Sequence, residues 1–222
     1  PNYTLTNRVT ITNAITVSAV STNPGLTVIQ GQGPLGESAV RCVYLAGGAA
    51  LIGFTLTNGC TRTNGDIFYD RSGGGIYSPS ANGMVSNCTI VCNSADNAGG
   101  GVRNGTLNNC VVWSNTAGGL GGGANGSTLI DCLVAHNQAN GDGGGAYNAT
   151  LTGCLVWSNK TGNNGGGAAG STLNYCLVLS NSANFGGGTT GSGLTNCLVT
   201  GNRANWGGGV CGGRLNNCVV ST

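Results

Sequence analysis

Apolar residues in this chain fall in short β-branched bursts, CVVWSN, CLVAHN and CLVTGN among them, separated by stretches rich in Gly and Asn. No i, i+3, i+4 stripe fits between the glycines, so the bursts predict strands and not helices. They recur at a fixed interval. Cys88, Cys110, Cys132, Cys154, Cys176, Cys197 and Cys218 are spaced 22, 22, 22, 22, 21 and 21 residues apart. GGG triplets beginning at Gly99, Gly121, Gly143, Gly165, Gly186 and Gly207 keep the same rhythm. So do Leu107, Leu129, Leu151, Leu173, Leu194 and Leu215, and Asn93, Asn115, Asn137, Asn159, Asn181 and Asn202. Several columns sharing one period identify a solenoid. The frame of a leucine-rich repeat is missing, and short strands broken by Gly and Asn-Gly predict a parallel β-helix of about 22 residues per coil.

Each column has a predicted place. Two residues after each Cys stands Ile90, Val112, Val134, Val156, Val178, Val199 or Val220. Near-constant size is what a close-packed interior demands, so Cys and this residue should point inward. The positions beside them vary in size and should face outward, yet they are apolar: Val111, Leu133, Leu155, Leu177 and Leu198 in one column, Trp113, Ala135, Trp157 and Leu179 in the next. Adjoining apolar columns would form an interaction face larger than a soluble monomer usually exposes. The Asn column should mark a strand end, its amides hydrogen-bonding from coil to coil. The triplets should form another corner, where Gly permits positive φ and close backbone approach.

Composition agrees with a fold in which Gly and Asn have structural work. Gly is 44 of 222 residues and charged residues are 6%, against about 7% and 25% in ordinary proteins. A hydrophobic fraction of 39% and mean hydropathy of +0.07 do not suit a charged disordered chain. The net charge is +2, with the basic residues scattered, which excludes a phosphate-binding surface for nucleic acid. No apolar run approaches the 18 residues of a membrane span, and PNYTLTNRVT lacks the apolar region of a signal peptide.

The repeat unit resembles those of right-handed parallel β-helix proteins such as polymorphic outer-membrane proteins and autotransporter-like passengers, which carry GGA[ILV] and FxxN elements. Gly121-Gly122-Gly123-Ala124 and Gly143-Gly144-Gly145-Ala146 match the first. Val112-x-x-Asn115 and Val134-x-x-Asn137 match the second, with Val in place of Phe. TVIQGQG and ALIGFTLTNG are similar to the opening coils of related bacterial surface proteins. The resemblance implies a right-handed all-β solenoid that is secreted or on a cell surface. It does not select an activity, because adhesins, lyases and fibres share the architecture. Residues 1–83 read as irregular N-terminal coils with inserted loops, and residues 84–222 as regular coils of the same domain.

The chemistry-bearing residues yield no catalytic set, metal site or cofactor site. The seven column cysteines occur once per coil and not as paired ligands, so they read as buried thiols. Cys42, Cys60, Cys92 and Cys211 lie outside the column, and Cys60 with Cys92 is a candidate bridge. His136 is the single histidine and reads as a solvated turn residue. The acids Glu37, Asp66, Asp70, Asp96, Asp131 and Asp142 share no column, whereas a polysaccharide-cleaving β-helix groups carboxylates on adjacent coils. The triplets lack the GK[ST] of a phosphate loop. Thr106, Thr128, Thr150 and Thr172 form one column but not the doubled T-x-T face of an ice-binding surface.

The main irregularity is an insertion before the first triplet, CTRTNGDIFYDR, which concentrates Arg62, Asp66, Tyr69, Asp70 and Arg71; a second follows near Ser78 to Asn82. Solenoids present binding loops as such insertions. The last rung stops before its Asn, so a continuing solenoid or end-to-end stacking would cover its strand edge. The expected function is a structural or adhesive extracellular module that associates with itself or with another surface protein. The alternative is a carbohydrate-active β-helix acting through the inserted loops or through parts outside this chain.

Overall fold

The computed structural model describes residues 5–21 and 23–221. It is a parallel β-solenoid with coils of about 22 residues, and a single 3-10 turn at Pro24–Leu26 is the only helical segment among the described residues. The coil that opens at Gly121 shows the plan. Its strands are Ala124–Asn125, Thr128–Ile130, Leu133–Ala135 and Gln138–Ala139. Every strand pairs in parallel with its counterpart one coil on: Leu133 lies beside Val111 and Leu155, Leu129 beside Leu107 and Leu151. The strands stack into sheets of 16, 9 and 6 members. The largest is two stacks that merge on Thr189–Thr195, a strand running through what earlier coils break into two.

The interior is narrow and filled column by column. Leu107, Leu129, Leu151 and Leu173, Val112, Val134, Val156 and Val178, and the column cysteines from Cys88 to Cys197 are all buried. Each buried Leu or Val contributes roughly 1.5–3 kcal/mol relative to exposure. The thiols sit against backbone carbonyls: Cys110 Sγ is 3.3 Å from the Asn108 oxygen and 3.5 Å from that of Val85. Hydrogen bonding to the thiol of the preceding coil, together with burial, pushes Cys132, Cys154 and Cys176 up to about 12. All eleven cysteines are free thiols, and the bridge considered between Cys60 and Cys92 does not form. Cys60 is buried beside Ser94 on the neighbouring coil, whereas Cys92 occupies an exposed corner.

The corners fall one residue away from where the Asn column predicts them. The left-handed residues are those before each Asn, such as Ser114 (φ 52°), His136 (φ 54°) and Ser158 (φ 51°), and those before each Cys, such as Asn109 and Asp131. The column Asn residues are buried instead. Asn137 Oδ1 accepts from the Asn115 backbone N–H (2.9 Å) and from Asn115 Nδ2 (3.0 Å). Its own Nδ2 donates to the Val112 carbonyl (2.9 Å) and to Asn159 Oδ1 (3.0 Å). The same pattern runs from Asn93 to Asn202, so each amide satisfies buried backbone groups that strand pairing leaves open at the bend.

The triplet glycines divide the work. Gly121 takes φ 64°, whereas Gly122 is needed for space: a Cβ there would stand 2.3 Å from the Gln138 oxygen and 2.4 Å from that of Gly144. The shortening to 21 residues lies between Asn and triplet, six positions from Asn159 to Gly165 but five from Asn181 to Gly186. The four-residue strand Ser182–Phe185 there replaces the two-residue Lys160–Thr161, so losing one residue straightens that corner.

Candidate association face and inserted loop

The nine-stranded sheet carries the Cys and Val columns on its inner face, so the residues between them point outward. Trp157 is 36% exposed, Leu177 45% and Leu198 36%; Val111, Trp113, Leu133, Leu155 and Leu179 are partly buried by their neighbours in the column. No charged residue stands in either outward column from Val111 to Ser221. Ala135 departs from its column and is fully buried. It lies in register between Trp113 and Trp157, and His136 fills the space between those rings, 4.3 Å from the first and 4.7 Å from the second. His136 is an exposed turn residue, as the sequence suggests, that also joins an aromatic cluster. The sequence holds a signal for this, since a small residue between two Trp in one column leaves room for both. The Trp rings meet at 60°, so they pack on one another and do not form a flat platform.

The inserted loop brings Arg62, Asp66, Tyr69, Asp70 and Arg71 into one region, but their polar groups serve the loop and its support. Arg62 pairs with Glu37, and Asn64 with Arg62 holds the Glu37 carboxyl below its usual value by hydrogen bonding. Asp66 Oδ1 accepts the backbone N–H groups of Phe68 and Tyr69, each at 2.9 Å. Asp70 is buried and accepts from the N–H groups of Leu5 and Asp66, both at 3.0 Å. Arg71 pairs with Asp96 at 2.7 Å.

Sequence reasoning missed Arg41, which reads as one of several scattered basic residues. Only 2% exposed, it holds the loop from below. Its guanidinium donates to the carbonyls of Gly73 (2.7 Å), Ser72 (2.7 Å) and Tyr69 and to Asn7 Oδ1 (2.9 Å), and its charge lies 5.0 Å from the Tyr77 ring. Burial lowers it to about 9, with Tyr77 and Asp70 opposing that shift. Beside it lies a cavity of about 250 Å³ lined by Asn7, Thr10, Thr12, Tyr44, Tyr69 and Asp70. Among the described residues no group of three His, Cys, Asp or Glu is placed to hold a metal, and no helix is long and apolar enough to cross a membrane.

Comparison with protein-family models, with curated proteins and with solved structures finds no match to this chain. The structure establishes a β-helix repeat protein, and any finer assignment rests on the residues themselves.

Proposed function

We propose that this chain is a non-catalytic structural or adhesive β-solenoid module of a secreted or cell-surface protein, akin to the passenger-like repeats it resembles. It works by side-to-side association through the outward face of the nine-stranded sheet. The observation that carries this reading is the uncharged column of Leu133, Leu155, Leu177 and Leu198, flanked by Trp113 and Trp157 and left partly open to solvent. A second copy of the chain or another surface protein would cover it.

The size of the face sets the strength of association. From Val111 to Val219 it spans six rungs, about 25 Å at roughly 4.8 Å each, by about 10 Å across three residues. Roughly 250 Å² per partner is well below the ~800 Å² of a standard stable interface and no larger than the apolar patches monomers ordinarily expose, so the face is smaller than the column pattern predicts. Association is therefore weak per module and gains strength only through neighbouring modules or further contacts. Sedimentation velocity across a concentration series should show reversible association, abolished in the double variant Leu155→Lys/Trp157→Lys. Unchanged association of that variant, or a monomer at every concentration, would refute the face.

A polysaccharide-cleaving reading has less in its favour. Asp66 and Asp70 each accept two backbone N–H bonds, so both carboxylates serve to hold the loop and its support. Polysaccharide cleavage abolished by Asp66→Asn or Asp70→Asn would overturn the structural reading.

A further inference from the structure

We propose that the cavity beneath the inserted loop is a binding site for a single neutral pyranose ring, such as the terminal sugar of a glycan. The site stands apart from the apolar face and does not depend on it.

Three observations select this ligand chemistry. The first is the pairing of aromatic and hydroxyl groups. Tyr44 and Tyr69 line the cavity, and both rings are braced against Tyr77, at 6.0 Å and 5.2 Å between centroids. Thr10 and Thr12 line it beside Tyr44, because Thr10 pairs with Tyr44 across the first two rungs. Their hydroxyls make no hydrogen bond within the described residues, and each is both donor and acceptor. A ligand with an apolar ring face and a hydroxylated edge satisfies both kinds of group.

The second observation is charge. Arg41 and Asp70 line the cavity at 2% and 3% exposure, yet the guanidinium already serves four protein oxygens and the carboxylate already accepts two backbone N–H groups. An anionic ligand would meet a partnered carboxylate and no bare cation, so the site favours a neutral molecule. The third is size. About 250 Å³ lies just under the roughly 300–1,000 Å³ of sites for drug-sized ligands, which suits one ring and excludes a bound oligosaccharide.

The architecture explains why the site is here. The loop insertion is confined to the N-terminal coils, and Arg41 ties it to the outer face of the first stack. Arg103, Asn125, Tyr147 and Ala169 continue the column that holds Tyr44 and Tyr77, and the later coils lack the inserted loop that closes a cavity over it.

Saturation-transfer NMR and calorimetry on the whole chain, with glucose, galactose, mannose, N-acetylglucosamine, galacturonate and phenol as probes, test the proposal. At least one neutral hexose should bind with a Kd on the order of 1 mM. Thr12→Val with Tyr44→Leu should weaken it tenfold or more, while Tyr175→Ala, an exposed aromatic on a distant coil, leaves it unchanged. Thr10→Val alone, an exposed conservative change, should weaken it several-fold with the unfolding midpoint unaltered. Leu155→Lys/Trp157→Lys should bind sugar normally even where association is lost, which separates the two proposals. Absence of hexose binding at ~10 mM, tighter binding of galacturonate or phenol than of any hexose, or binding indifferent to the Thr and Tyr substitutions would overturn it.

Discussion

Replacing Asn137 by Ala tests the interior hydrogen-bond column directly. Asn137 is 1% exposed and makes four side-chain bonds with the coils on either side. Two of the affected groups keep a partner: Asn115 Nδ2 still donates to the Ile90 carbonyl, and Asn159 Oδ1 still accepts the Asn137 backbone N–H. The Asn115 backbone N–H loses the acceptor at 2.9 Å that the column supplies. Stranding one buried donor costs about 1–3 kcal/mol, and the other three bonds about 0.5–1.5 kcal/mol each, for roughly 2.5–7.5 kcal/mol in all. In a chain of this size each kcal/mol moves the unfolding midpoint by about 2–4 °C, so the expected fall is about 5–30 °C. Calorimetry measures it, with Gln138→Ala as the control. Gln138 is the exposed next residue, where a change should stay within about 0.5 kcal/mol. Amide hydrogen exchange supplies the local readout: at 1.4 kcal/mol per tenfold, Asn115 should lose protection by roughly 5- to 150-fold. If Asn137→Ala costs no more than Gln138→Ala and Asn115 keeps its protection, the column is not the source of stability claimed for it.

Other expectations follow from the same geometry. Gly122→Ala drives a Cβ to 2.3 Å from a neighbouring backbone oxygen and should cost about 1–3 kcal/mol or prevent folding. Gly162→Ala, which meets nothing within 4 Å, should be neutral or stabilise by up to about 1 kcal/mol in urea unfolding. A thiol reagent under native conditions should modify Cys92 fast, Cys211 and Cys218 more slowly, and the eight buried cysteines only after denaturation. The folded thiol pKa of Cys132, Cys154 and Cys176 is about 12, above the ordinary 9, so their protons favour the folded state. That stabilisation is whole below about pH 9 and is lost as pH rises towards 12, which chemical denaturation along a pH series will show.

Much of the fold is legible in the sequence because a solenoid writes the same environment once per coil. A position such as Val134 is read together with Val112 and Val156, and constancy down the column betrays the interior without any alignment to other proteins. The candidate face was legible for the converse reason: Val111, Leu133 and Trp157 vary in size as outward residues can. The part that escaped is non-repetitive. Arg41 and Asp70 occur once, so nothing in the pattern marks them as buried, and burial there depends on a loop folding back over the first rungs.

The sequence alone determined the period, the strand content, the inward Cys and Val columns and the place of the insertion, because each is set by local spacing and by residue size repeated along the chain. Tertiary structure decided which residue turns each corner, that the Asn amides bond inside the coil, that Ala135 is buried between two Trp positions, and that the loop's arginines pair with Glu37 and Asp96 while its aspartates take backbone N–H groups beside a cavity. Those outcomes depend on atoms brought together from neighbouring coils, mostly 21 or more residues apart, where distance and direction, and not residue type, determine what touches.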